Sequence, residues 1–226
     1  MPQRRIADSA GALDFRFDWT DSPRSASTAG RLLVCLNGKP IWHDGSGTAG
    51  IESLWVELLE YFGRYWKYLV LEEGYPFYLH PESPSGLRSL LDERWSNNGF
   101  EQSRIDEEET VAVRFQTTHN LAECSPGTLR PDILIVRDGD HFVVEASTET
   151  GVETSVLPEA ALVQVLSDVA GEIAARIEAG SEVDERSRIA LLQWEATKLA
   201  SRAARFEAVL RDTNERFPNA LRKLAE

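Results

Sequence analysis

The chain has 226 residues, 42% of them apolar and 27% charged, which is the usage of an ordinary globular protein and excludes a disordered, collagenous or disulfide-built chain. With 24 basic against 37 acidic residues the net charge is −13, which argues against general binding to nucleic acid or anionic membrane, because both carry phosphates. No apolar run approaches the ~18 residues of a membrane span. Met1-Pro2-Gln3-Arg4-Arg5 and the polar residues after it do not form a signal peptide, and two cysteines, Cys35 and Cys124, suit a reduced, cytoplasmic compartment.

Leu13, Phe15, Phe17 and Trp19 alternate with Asp14, Arg16 and Asp18, the period of a half-buried strand. Residues 20–30 are a polar, Ser-rich loop. Arg31 to Leu36 reads as a second strand, and Asn37-Gly38 is the favoured pair for a type I′ turn leading into Lys39-Pro40-Ile41-Trp42. Pro40 lacks a ladder donor and so belongs at an edge. Residues 43–50 form a loop. Over 51–71, Ile51, Leu54, Trp55, Leu58, Leu59, Phe62, Trp66, Leu69 and Val70 share one helical face, and Gly74 and Pro76 stop the helix. A short helix over 84–95, capped by Ser83 or Ser85, and a polar loop over 96–109 follow.

Val111, Val113 and Phe115 alternate with Ala112, Arg114 and Gln116, which predicts a strand. Ile133–Val136 and Phe142–Glu145 flank Asp138-Gly139, a two-residue hairpin signal. Residues 148–157 read as a loop. Pro158 opens a helix to about Ala179, with Gly180 as its C-cap. The last helix starts near Asp184 and carries Ile189, Leu192, Ala196, Leu199, Ala203, Phe206 and Leu210 at steps of 3 and 4, an a/d heptad seam. Pro218 breaks it. The expectation is an α+β fold: a mixed sheet built from β-hairpins with helices packed on it, and a long C-terminal helix. Residues 1–180 form the α+β domain and 181–226 a helical annex.

Glycine-rich phosphate loops, Gly-x-Ser-x-Gly, Cys-x-x-Cys and His-Glu-x-x-His are all missing. The aromatic cluster Tyr61, Tyr65, Trp66, Tyr68, Tyr75, Phe77 and Tyr78 has no interleaved Lys/Arg stripe, so it reads as core and rim, not as a base-stacking platform. Cys124 near His119 is a Cys–His pair without the surroundings that catalysis needs. One constellation remains. A turn centred on Asp138-Gly139 places Asp132 opposite Glu145 and Arg130 opposite Ser147. Two carboxylates ~4.5–5.5 Å apart repel unless a proton or cation lies between them, and a hard divalent cation fits.

Pro131-Asp132, a hairpin and Glu145-Ala146-Ser147 resemble the Pro-Asp…(Asp/Glu)-x-Lys nuclease superfamily. Its core of helix, three strands, helix and strand is matched by helix 51–71, strands 111–116, 131–137 and 141–147, and helix 158–179. The resemblance implies Mg²⁺ held by Asp132 and Glu145. Ser147 stands where the family has lysine, and Arg130 is the substitute cation, although a guanidinium hardly deprotonates. Such a chain would act on nucleic acid.

The runs Gly30–Lys39, Leu54–Tyr61, Tyr65–Glu73 and Thr118–Ala122 resemble an uncharacterised bacterial region found ahead of ImmA/IrrE-type metallopeptidase domains, over roughly residues 30–180. The metallopeptidase helix has no counterpart in this sequence. The resemblance therefore implies the sensing or docking part of a stress-response or phage-defence system. The leading expectation is a non-catalytic, cofactor-free sensor or adaptor. It meets a protein partner or another copy through Leu192, Leu199 and Phe206. The alternative is a Mg²⁺-dependent nuclease, active or degenerate, built on Asp132, Glu145 and Arg130.

Overall fold

The computed structural model describes residues 4–19, 29–43, 47–71, 75–124, 130–148, 151–180 and 183–216. The class is α+β, as the sequence predicts, with the strands divided between two antiparallel sheets instead of joined in one mixed sheet. The first sheet has β1 (Arg4–Ala7), β2 (Leu13–Trp19), β3 (Ala29–Leu36), β4 (Lys39–Pro40) and β5 (Ile51–Leu54). The alternation of β2 buries Leu13, Phe15 and Phe17 on the inner face, in register with Ile6 of β1 and Leu32, Val34 and Leu36 of β3. Asn37 and Gly38 both take positive φ, 52° and 78°, so the type I′ turn forms where expected and Pro40 lies on an edge strand.

Residues 51–54 pair with β3 instead of opening the helix, which is α1 (Trp55–Leu71). The approach of Trp55 to the sheet requires Gly30, where a Cβ would stand 2.8 Å from the indole and 2.6 Å from the Asp18 carbonyl oxygen. α1 buries nine side chains, more than one stripe, because it lies at the centre of the molecule.

Two expectations fail in the segment that follows α1 directly. The capping serines do not cap: α2 (Leu87–Asn98) starts from Gly86 with no side-chain cap. The predicted loop over 96–109 and strand over 111–116 are largely one helix, α3 (Gln102–His119). Val111 and Val113, whose alternation suggests a strand, are exposed, whereas Glu108, Ala112, Phe115 and His119 are buried at helical spacing. The buried Glu108 carboxylate accepts from Arg94 (3.1 Å to each oxygen) and from the Trp95 indole (2.9 Å), which clamps α2 to α3. Leu87, Leu91, Ala112 and Phe115 then pack over Val136 as a second, smaller core.

The second sheet is β6 (Ile133–Asp138), β7 (His141–Thr148) and β8 (Gly151–Pro158). β8 occupies the predicted loop over 148–157. It buries only Leu157 deeply, so its own pattern is polar and its strand is held by pairing with β7. Ile133, Ile135, Phe142, Val144 and Ala146 face the main core with α4 (Glu159–Glu178). The last helix, α5 (Glu185–Arg216), runs along α1, not along α4 as its short connection suggests. Its Ala190 and Trp194 belong to the main core. No described helix is long and apolar enough to cross a membrane.

Candidate functional site

The β6–β7 hairpin positions the two carboxylates. Asp138 pairs with His141, so the two-residue turn is Gly139-Asp140, one position later than Asp-Gly chemistry suggests. Gly139 has φ of 63° and Asp140 is not in the positive-φ region, so glycine takes the first central position of the turn. The pairing shifts by two residues. Leu134 opposes Glu145, and Asp132 meets Ser147, whose N–H donates to the Asp132 carbonyl at 3.1 Å. Because side chains alternate with period two, Asp132 and Glu145 keep a common face. They are diagonal neighbours, a relation of ~7–8 Å, and not a directly opposed pair.

Arg130 does not face Ser147. Its guanidinium reaches the Cys124 sulfur at 3.6 Å and lies 5.4 Å from the Trp42 ring centroid, while the Trp42 indole donates to the Pro131 carbonyl at 2.9 Å. The correspondence with the nuclease core also loses its first strand, because 111–116 is helical. Asp132 immediately precedes the first, and Glu145 lies in the second, of three consecutive strands.

Glu145 is 2% exposed, covered by the short helical turn Pro84–Gly86. The Ser85 N–H donates to its Oε1 at 3.1 Å, and its Oε2 is buried without a partner. Nearby, burial pushes the Tyr75 hydroxyl up to about 12, with the Asp138 and Glu145 charges acting in the same direction. Asp132 is exposed and accepts from Asn120 Nδ2 at 2.7 Å. Asn120 ends α3, and its Oδ1 accepts from the Ala122 and Ile133 N–H groups at 3.1 Å each, so its amide aims at Asp132 from a fixed position. Asn120 is the site residue that motif reasoning passes over. The signal was a buried amide at a helix end, which a sequence does not display.

The Cys–His pair is inert packing. His119 stacks on Phe115 at 4.0 Å with its Nδ1 2.8 Å from the Phe115 carbonyl, and burial holds its pKa down at about 4. Burial pushes the Cys124 thiol up to about 12.

The seam of α5 is the second candidate. α5 has two faces. Ser187, Ala190 and Trp194 are buried toward α1, where the Trp194 ring meets Trp66 edge-on at 5.1 Å and Phe62 at 6.5 Å. Thr197 donates to the Gly63 carbonyl at 2.9 Å, and Arg186 forks onto Glu60 at 2.8 and 2.7 Å. On the helical wheel, at 100° per residue, the seam lies on the opposite side. Ile189 is 47% exposed, Leu192 65% and Leu199 64%. The side chain of Phe206 lies outside the described residues.

No family model, no curated protein and no solved structure matches this chain.

Proposed function

We propose that the chain is a non-catalytic sensor or adaptor module that works through protein–protein contacts made by the outward face of α5. The reading places it in the bacterial cytoplasm, in stress response or defence against phage and mobile elements, as the resemblance to ImmA/IrrE-associated regions implies. The observation that carries it is the apolar row Ile189, Leu192 and Leu199, left in solvent on a helix whose opposite face is already docked. A row of large apolar side chains at heptad spacing is the usual mark of a helix that meets another helix. A photo-crosslinking residue at Leu199 should capture a defined protein in cells, and one at exposed Glu93 of α2 should not. Leu192→Lys should suppress the adduct. Equal labelling from both positions would overturn the reading.

A second reading, a Mg²⁺-dependent nuclease, is favoured by the unpartnered Oε2 of buried Glu145 on the face it shares with Asp132. Among the described residues no group of three His, Cys, Asp or Glu comes together to hold a metal. Mg²⁺ is commonly held by one or two carboxylates and waters, so the pair fits that mode alone. Calorimetry with Mg²⁺ and Mn²⁺ should show no binding to the parent. Binding abolished by Asp132→Ala, with plasmid nicking abolished by Glu145→Ala, would establish the nuclease instead.

A further inference from the structure

We infer that the free edge of β1 and the groove between it and α4 take an extended peptide of another protein, added as a strand, with basic side chains on its α4 side and acidic side chains on the other. This surface is separate from the outward face of α5, and the inference does not rest on the reading of that face.

β1 is an edge strand that pairs with β2 alone. The Asp8 N–H donates to the Leu13 carbonyl at 3.1 Å, and in the same register Ile6 opposes Phe15 and Arg4 opposes Phe17. Bonded and non-bonded pairs alternate along an antiparallel ladder. Arg4, Ile6 and Asp8 therefore turn their main-chain groups to β2, and Arg5 and Ala7 turn theirs to the free edge. Among the described residues nothing pairs with those outward groups. Charged residues ordinarily blunt such an edge. Here both charges are drawn aside, Arg4 to Glu172 of α4 at 3.4 Å and Arg5 to Asp14 of β2 at 2.9 Å.

The groove beside the edge measures about 510 Å³, with β1 on one side and Asp168, Gly171, Glu172 and Ala175 of α4 on the other. Ligand clefts commonly span ~300–1,000 Å³. Gly171 stands in the middle of α4, where glycine costs ~1 kcal/mol against alanine, and a Cβ there would meet nothing within 4 Å. Nothing within the chain crowds that position, so the small residue keeps room open beside the edge strand.

Charge names the occupant. Side chains of an added strand alternate between the two faces of the sheet. On the α4 face Glu172 is paired with Arg4, whereas Asp168 accepts from the neutral Gln164 amide at 2.8 Å, which leaves one negative charge over. On the opposite face Arg5 and Arg16 share the single Asp14 carboxylate, at 2.9 and 2.8 Å, which leaves one positive charge over. A strand with Lys or Arg at alternate positions toward α4, and Asp or Glu between them, matches both faces. Main-chain pairing supplies its affinity and the alternation its specificity.

Fluorescence anisotropy of the full chain with the labelled, amidated hexapeptide Thr-Lys-Glu-Lys-Glu-Thr tests the inference. It should bind saturably, about tenfold more tightly than Thr-Lys-Lys-Glu-Glu-Thr, which has the same composition but mixes the two signs on both faces. Ala7→Pro removes one edge N–H and leaves the β1–β2 bonds in place, and Gly171→Leu fills the groove from a position where a Cβ is clear. Each should weaken binding about tenfold, with melts by circular dichroism showing both variants folded. Asp168→Lys should abolish the preference between the peptides. Equal binding of the two peptides, no saturable binding up to millimolar concentration, or an affinity unmoved by Ala7→Pro and Gly171→Leu would overturn the inference. Self-association of the parent that Ala7→Pro abolishes would put the β1 edge of a second copy in the groove and overturn the peptide assignment. The crosslink from position 199 is read separately and tests the face of α5 alone.

Discussion

Trp194→Ala tests what holds α5 to the body. The indole is 2% exposed and wedged between Phe62 and Trp66, and a buried tryptophan removes some 150–250 Å² from water. Truncation of a core aromatic to alanine costs ~3–5 kcal/mol, from lost transfer energy and an unfilled cavity. The competing anchor is the Arg186 fork on Glu60. Its side chains are 49% and 21% exposed, so solvent screening limits it to ~1 kcal/mol or less. Packing therefore dominates. Trp194→Ala should free the amides of residues 185–197 to hydrogen exchange while β2, β3 and α1 keep their protection, and Arg186→Ala should barely change the pattern. Trp194→Phe removes the buried indole N–H that has no partner, so its cost should fall well below that of alanine. Protection of 185–197 that survives Trp194→Ala, or collapses in Arg186→Ala, would refute the assignment of α5 docking to this side chain.

Three further outcomes follow from burial. His119 is held near pKa 4 against its ordinary 6.5, so the unfolded chain binds the extra proton between those values; stability on the order of 3 kcal/mol is complete above pH ~6.5 and is lost as pH falls toward ~4. Urea midpoints between pH ~7 and ~5 should drop less in His119→Gln than in the parent, and parallel slopes would exclude this origin. Gly30→Ala should cost about 1–3 kcal/mol by overpacking against Trp55 and the Asp18 carbonyl, measured by the urea midpoint; a neutral result would mean β3 and α1 can separate freely. Cys124, with its thiol pushed up to about 12, should resist iodoacetamide in the native protein and react once unfolded, as mass spectrometry of the peptide would show.

The elements legible in the sequence are those whose buried side matches their own periodicity. β2 alternates and is buried as it alternates, and α4 is a helix buried on the face its spacing marks; α5 is the exception, a helix announced by a seam that lies on its exposed face. The misread elements owe their state to partners. α3 hides its helical face because one of its inward residues is Glu108, made acceptable by Arg94 and Trp95 from another helix. β8 reads as a loop because Val152 and Val156 are exposed and only the ladder to β7 makes it a strand. At the candidate site, the common face of Asp132 and Glu145 was legible because a two-residue slip preserves it. The diagonal offset was not, since it depends on the Gly139-Asp140 turn. The orientation of α5 was legible only in part. The seam was visible, but the docked face rests on Trp194, a single large residue among small ones, and gives a weak periodic signal.

The turn at Asn37-Gly38 does more than join β3 to β4. Asn37 Nδ2 donates to the Thr154 carbonyl at 3.1 Å, and Lys39 pairs with Glu153, so the tip of one sheet's hairpin sits against the outer edge of the other sheet's last strand. That edge carries exposed Val152 and Val156, the combination of unpaired backbone and apolar side chains that templates strand-to-strand aggregation. The first sheet's hairpin thus covers part of that edge, so fewer of its backbone groups stand open to another strand.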